Sequence, residues 1–287
     1  MAVNRFDFER TIDIAWCPGC GNYAIRKALL AALDELGLVR EKVVMVSGIG
    51  QAAKMPHYIN ASFFNGLHGR ALPPATAIKA CNPELTVIAE GGDGDMYGEG
   101  GNHFIHATRR NPDITLFVHD NMIYGLTKGQ ASPTSRLGMK TPVQVEGVFE
   151  KPLNPLALAV SLDVPFVARA SSGDIDKTKE IMKQALLHRG FSLVDIFQPC
   201  ISFNKVNTFK WFKDNSYYLG DDYDPTDRVG AFKKALEEEP FPLGIIYRND
   251  NRATFEENLP VYREDKRPLY RRDFDMQKIQ DILKKKR

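Results

Sequence analysis

The sequence predicts an α/β protein, a mostly parallel sheet with helices on both faces, followed by an irregular C-terminal extension. Two observations carry this expectation. First, short apolar, β-branched runs at 43–46, 85–89, 114–118, 166–168 and 193–197 alternate with stretches of helical spacing at 23–36, 75–80, 101–110, 155–162 and 175–188. Continuous apolar strands are those buried on both faces, and helical crossovers between them make neighbours parallel. Second, glycine and polar clusters follow several of the runs, and in such sheets ligands bind outside the carboxyl ends of the strands.

The first helix places Ala24, Ala28, Leu29, Ala32, Leu33 and Leu36 close to helical spacing. The run 85–89 continues through Glu90 into Gly91, Gly92, Asp93, Gly94 and Asp95, and then Gly98 to Gly101 lead a helix. The next run, 114–118, ends in His119, Asp120 and Asn121. From about Cys200 the texture changes: Phe203, Trp211, Phe212, Tyr217, Tyr218, Tyr223 and Pro225 crowd a segment where regular alternation fades. One strand candidate, 243–247, interrupts it. Residues 1–200 therefore read as the main domain. Residues 201–287 read as an extension packing on the core or on a partner, not as a second autonomous domain.

A 287-residue chain with 43% hydrophobic and 26% charged residues is ordinary globular material. Its net charge of +2 gives no electrostatic footprint for nucleic acid. The basic end, Lys284 to Arg287, reads as a solvated helix tail. No apolar run approaches the roughly 20 residues that span a bilayer, so no membrane role is expected. Residues 1–9 lack the apolar core of a secretory signal, which points to the cytoplasm. Four cysteines in such a chain are not a disulfide framework.

Asp93 and Asn121 end consecutive strand candidates, which would bring them together. Magnesium takes oxygen ligands, a few from protein and the rest from phosphate and water. The Asp93 carboxylate, the Asn121 amide oxygen and the Ile123 carbonyl suit it, and the glycines let main-chain N–H groups approach phosphate at a helix start. Read alone, Gly92, Asp93 and Gly94 equally describe a tight strand–helix turn. Cys17 and Cys20 form a Cys-x-x-Cys turn with Pro18 and Gly19 between them. Zinc, an iron–sulfur cluster or a redox dithiol would each use it, although no second Cys-x-x-Cys completes a zinc set. Cys81 reads as a small buried hydrophobe. Lys54, His68 and Arg70 follow strand ends, where cationic groups could hold a carboxylate or phosphate. His57, His103, His106 and His119 read as packing or capping groups.

Gly92-Asp93-Gly94, 26 residues and then Asn121 resembles the thiamine-diphosphate motif. The segments 124–134 (Tyr-Gly-Leu-Thr-Lys-Gly-Gln-Ala-Ser-Pro-Thr), 65–70 (Asn-Gly-Leu-His-Gly-Arg), 16–22 (Trp-Cys-Pro-Gly-Cys-Gly-Asn) and 198–204 (Gln-Pro-Cys-Ile-Ser-Phe-Asn) resemble the β subunits of 2-oxoacid:ferredoxin oxidoreductases. The resemblance covers most of the chain and implies a thiamine-diphosphate-binding fold.

It implies thiamine diphosphate and Mg2+ held around Gly92, Asp93, Gly94, Asp95, Asn121, Ile123, Gly125, Leu126 and Thr127, with Asp93, Asn121 and Ile123 on the metal. It implies a [4Fe–4S] cluster on Cys17, Cys20 and Cys200, and roles in the reaction for Lys54, His68 and Arg70. The third family cysteine falls at Gln51 here. Cys81 could reach in, a non-thiolate ligand could replace it, or the cluster could be absent. The implied reaction is oxidative decarboxylation of a 2-oxoacid to an acyl-CoA, with electrons passed to ferredoxin. A decarboxylase or carboligase subunit without a cluster, or a non-catalytic scaffold, is the alternative. The family places the base for the aminopyrimidine on an α subunit, so the chain is expected to be inactive alone and to work in an αβ or (αβ)2 assembly.

Overall fold

A computed structural model describes residues 4–8 and 11–286. Parts of the N-terminal stretch 1–9, and Arg287 of the basic tail, lie outside the described residues. Eight strands form one sheet: β1 Val43–Ser47, β2 Ser62–Asn65, β3 Thr86–Gly92, β4 Thr115–Asp120, β5 Phe166–Ser171, β6 Ser192–Phe197, β7 Ser216–Tyr218 and β8 Phe241–Arg248. Their order is β2-β1-β3-β4-β6-β5-β8-β7. Every pairing is parallel except β5 with β8.

Helices cover both faces, as the apolar runs require. Alternate side chains of each strand feed two cores. Val87, Ala89, Leu116, Val118 and Leu193 pack under α2 Leu72–Cys81, α3 Gly101–Arg110, α4 Pro155–Ser161 and α7 Arg228–Ala235. Ile88, Phe117, Val194 and Ile196 pack under α1 Asn22–Glu35 and α5 Ile175–Leu187. Burying each of these Val, Leu, Ile and Phe side chains contributes about 1.5–3 kcal/mol, which is why periodicity alone located these elements. Helix α2 starts earlier than expected because Pro73 and Pro74 occupy its first turn, where a missing N–H costs nothing.

The extension is more regular than its sequence suggests. It adds α6 Phe209–Asp214, β7, α7, β8, α8 Phe255–Asn258 and α9 Met276–Lys285. Strand β8 hydrogen-bonds antiparallel to β5, so the extension closes the sheet's edge. Most of these pieces are too short to show a period, and Trp211, Phe212, Tyr218, Phe241 and Leu243 pack on one another beside Met122 and Phe197; only α9 has apolar residues at helical spacing, and none of them is buried. Strand β2 was hidden for a related reason: it is a four-residue edge strand with all its side chains exposed. Among the described residues no helix is long and apolar enough to cross a membrane.

Topology positions the site. Strands β1, β3, β4 and β6 are parallel, so the segments after Ser47, Gly92, Asp120 and Phe197 emerge together. Helix α1 runs back to the start of β1, so its N-terminus, with Cys17 and Cys20 just before it, also lies at this end.

Candidate active site

Two small cavities share a wall at the carboxyl edge. The first, about 60 Å³, is lined by Ile49, Gln51, His68, Gly92, Asp93, Gly94, Asp95, Asn121, Ile123, Gly125, Leu126 and Thr127, among others. All nine residues expected around the cofactor, and His68, are therefore brought together. The second, about 40 Å³, is lined by Trp16, Cys17, Cys20, Gln51, Asn121, Gly125, Gln198, Cys200 and Ser202, among others. The three expected cysteines share it. Gln51, Asn121 and Gly125 belong to both.

Register explains the first cavity. Gly92 of β3 pairs with His119 of β4, so Asp93 and Asn121 leave adjacent strands near the same level. Asp93 is buried, and its Oδ2 accepts from Ser132 Oγ at 2.5 Å and Thr134 Oγ1 at 2.6 Å. Burial pushes its carboxyl up to about 6, against the pull of those hydroxyls. A buried carboxylate beside an amide oxygen is a donor set that magnesium accepts. Asn121 Oδ1 accepts from Ile123 N at 3.1 Å, while its Nδ2 donates to Gln198 Oε1 at 3.2 Å. Met122 turns the chain between them with φ of 57°. The hydroxyls of Ser132 and Thr134 are not legible in the sequence, since nothing local marks a residue that will orient an Asp 39 or 41 positions away.

Asp95 also lines the cavity, and here it ties loops together. Its Oδ1 accepts from Gly69 N at 2.7 Å and Ile49 N at 3.2 Å. A Cβ at Gly48 would lie 2.1 Å from its Oδ2, so only glycine fits there. His68 Nδ1 lies 3.0 Å from Asp95 Oδ1 and 3.2 Å from Glu99 Oε2, within reach of charge attraction but off the hydrogen-bond axis. Gly94 is required for a different contact: a Cβ there would lie 2.3 Å from the Tyr124 ring, whose hydroxyl donates to Gly94 O at 3.2 Å and Glu99 Oε2 at 2.9 Å. The β3 turn and the loop after β4 are thus locked together.

Lys54 and Arg70 line neither cavity. Lys54 Nζ donates to Ala15 O at 3.4 Å, and Arg70 meets His103 on the surface. His119 is buried, with Nδ1 2.8 Å from Asn22 Oδ1, and burial pushes it down to about 3, so it packs as a neutral ring.

In the second cavity Gln198 Nε2 donates to Cys20 Sγ at 3.4 Å and Ser202 Oγ to Cys17 Sγ at 3.2 Å. Burial pushes the Cys20 thiol up to about 11. Cys81, at the end of α2 leading into β3, is exposed and sits at the opposite edge of the sheet, so it does not reach in. It is not the buried hydrophobe that its sequence context suggests. Among the described residues no three His, Cys, Asp or Glu side chains converge as for a single ion. The magnesium set expected here has one carboxylate, an amide and a carbonyl, and cluster ligands stand farther apart than those of one ion.

Glu90, within β3, is fully buried, and neither carboxylate oxygen has a partner. Burial alone pushes its carboxyl well above the ordinary 4.5, so the native state holds it protonated where the unfolded chain is ionised. Folding then takes up a proton, and stability falls with rising pH from 4.5 up to the native pKa. Glu90→Gln should be the more stable form near neutrality. Its advantage should grow by about 1.4 kcal/mol per pH unit across that window and vanish below it. Parallel thermal melts of both proteins between pH 4 and 8 check this, and a pH-independent difference would refute it.

The chain is similar to known proteins over nearly its whole length. Residues 43–196 match the family described as thiamine pyrophosphate enzyme, C-terminal TPP binding domain, and residues 200–264 match the C-terminal family of the pyruvate ferredoxin oxidoreductase beta subunit. The 2-oxoacid:ferredoxin oxidoreductase subunit beta of Saccharolobus solfataricus is 42% identical over 95% of this chain and 96% of its own length. Subunit beta of 2-oxoacid:ferredoxin oxidoreductase 1 from Aeropyrum pernix is 43% identical over 88% of this chain and 85% of its own length. A solved 2-oxoglutarate:ferredoxin oxidoreductase from Magnetococcus marinus, with 2-oxoglutarate, coenzyme A and succinyl-CoA bound, superposes with a TM-score of 0.89 at 35% identity, covering 96% of this chain and 94% of that one. A family match over more than half of the chain and relatives above 40% identical over nearly its whole length agree: the chain belongs to the β subunits of the 2-oxoacid:ferredoxin oxidoreductase family, as its motifs suggested.

Proposed function

We propose that this chain holds the diphosphate and Mg2+ of thiamine diphosphate on the Asp93–Asn121 side of the shared wall and a [4Fe–4S] cluster on the cysteine side. The assembled enzyme would convert a 2-oxoacid and coenzyme A to an acyl-CoA and CO2 and reduce ferredoxin. The shared wall of Gln51, Asn121 and Gly125 carries this reading, because it puts a hard-oxygen site and a thiolate site next to each other. Thiamine diphosphate, when bound, supplies the carbanion that attacks the 2-oxo carbon and the ring that accepts the electrons left by CO2 loss.

The chain's own residues would do four things. Asp93, Asn121 and the Ile123 carbonyl hold the metal, with Ser132 and Thr134 orienting Asp93. The glycine-rich turn from Gly92 to Gly94 presents main-chain N–H groups to phosphate. Leu126 and Thr127 close the loop over the cofactor, and His68, fixed beside Asp95, faces the same space. Cys17, Cys20 and Cys200 provide thiolates suited to iron. Lys54 and Arg70, standing outside both cavities, would act only once a partner or substrate extends the site toward them. Residues 1–200 carry this machinery, and 201–287 brace it at the sheet edge.

A cavity of about 60 Å³ is well short of the roughly 300–1,000 Å³ of sites that enclose an organic ligand. The rest of the cofactor site, including a base for the aminopyrimidine, would come from an α subunit with a pyrimidine-binding domain, in an αβ or (αβ)2 assembly. The Magnetococcus relative binds 2-oxoglutarate and coenzyme A, and by that likeness we read the substrate as 2-oxoglutarate or a range of 2-oxoacids including it. The isolated chain, given thiamine diphosphate and magnesium, should turn over no 2-oxoacid. The complex with its partner, purified without oxygen, should contain thiamine, iron and sulfide and reduce ferredoxin. Turnover by the chain alone would refute the divided site. A complex that decarboxylates but holds no iron would favour the cluster-free decarboxylase.

A further inference from the structure

The cysteine cavity offers three cysteine sulfurs: Cys17, Cys20 and Cys200. A four-iron cube has four corners, so three thiolates leave one iron without a sulfur side chain. Four other side chains on the wall carry donor atoms: Gln51, Asn121, Gln198 and Ser202. Three of these are engaged. Ser202 Oγ donates to Cys17 Sγ at 3.2 Å. Gln198 donates to Cys20 Sγ at 3.4 Å through Nε2 and accepts from Asn121 through Oε1. Asn121 Oδ1 accepts from Ile123 N at 3.1 Å.

Gln51 differs. Its Oε1 is buried and has no hydrogen-bond partner. A buried polar atom left unpaired costs free energy, so it calls for a ligand or ion. Its main chain is fixed, since the Trp16 indole donates to Gln51 O at 2.8 Å and the residue starts the 3₁₀ turn Ala52–Tyr58. Cys81 is excluded by its place at the far edge of the sheet.

We infer that Gln51 Oε1 is the fourth ligand of the cluster, giving three irons a thiolate and one iron a neutral amide oxygen. This rests on the cluster reading above. The amide is a harder, weaker donor to iron than a thiolate. That iron is therefore the first to leave. On mild oxidation a [4Fe–4S]2+ cluster gives one electron to the oxidant, releases one Fe2+ and leaves [3Fe–4S]+. The missing negative charge also raises the cluster's reduction potential above that of a four-thiolate equivalent.

The test uses the anaerobically purified complex in wild-type form and with Gln51→Cys, Gln51→Glu or Gln51→Ala. Iron content, low-temperature electron paramagnetic resonance and reduction potential are measured before and after limiting ferricyanide. Wild type should convert to the three-iron form with one iron released. Gln51→Cys should convert at least tenfold more slowly and have a lower potential. Gln51→Glu should remain a four-iron protein because it keeps an oxygen donor, whereas Gln51→Ala should be isolated partly in the three-iron form. Equal iron content, conversion rate and potential in wild type, Gln51→Ala and Gln51→Cys would overturn the ligand assignment and leave the cluster standing. Absence of any iron–sulfur signal from wild type would instead remove the cluster itself. The Cys and Glu variants, each checked for an unchanged melting temperature, keep the comparison meaningful if Gln51→Ala misfolds.

Discussion

Asp93→Ala should abolish magnesium-dependent retention of thiamine diphosphate while the chain stays folded. The carboxylate is the one anionic oxygen donor among Asp93, Asn121 and Ile123, so its loss removes both a ligand and the charge that offsets the cation. The effect should exceed the roughly 10–100-fold loss of affinity that follows removal of an outer partner of a metal ligand. Thr134→Val should fall within that smaller range. Thr134 Oγ1 contacts Asp93 Oδ2 at 2.6 Å and Asp120 Oδ1 at 2.9 Å, so its loss frees the Asp93 carboxylate to rotate without deleting it. The fold should survive Asp93→Ala because burial already disfavours the charged carboxylate. Two hydroxyls lose an acceptor, at about 1–3 kcal/mol for a buried group left unpaired, and relief of the buried charge offsets part of that. Calorimetric titration of the complex with thiamine diphosphate, with and without magnesium, reads the series. Undiminished binding by Asp93→Ala would move the metal elsewhere.

The second large effect concerns electrons. In the complex, Cys17→Ser with Cys20→Ser should remove every iron–sulfur signal belonging to this subunit and all ferredoxin reduction. Two of three thiolates disappear, and serine hydroxyls are poor replacements on iron. Magnesium-dependent cofactor binding should persist, because the cysteines line the far side of the shared wall from Asp93. Electron paramagnetic resonance of the dithionite-reduced complex, made without oxygen, gives the answer together with thiamine content. A signal that survives the double substitution would place the cluster on other ligands. Loss of thiamine along with the signal would mean that the two sites are not separable in the way the wall suggests.

The sequence by itself determined the sheet and its direction. Five of the six expected strands are parallel members of one sheet, and each expected helix lies within a few residues of its observed bounds. Burial on both strand faces and on one helix face writes a period into the sequence, and these elements obey it. Residues 93 and 121 were legible for the same reason, because a strand end followed by a turn fixes where a side chain emerges. The short edge strands β2 and β7 and the brief helices α6 and α8 left no such mark.

What only the tertiary structure decided is which segments meet across the crossovers. Ser132 and Thr134 reach Asp93, and Asp95 gathers Gly69 and Ile49. Gln51 stands on the wall between two cavities with an amide oxygen left free, while Lys54 and Arg70, equally promising in the sequence, fall outside. Such contacts join positions tens of residues apart, and their geometry depends on how each loop leaves the sheet, which no local period records.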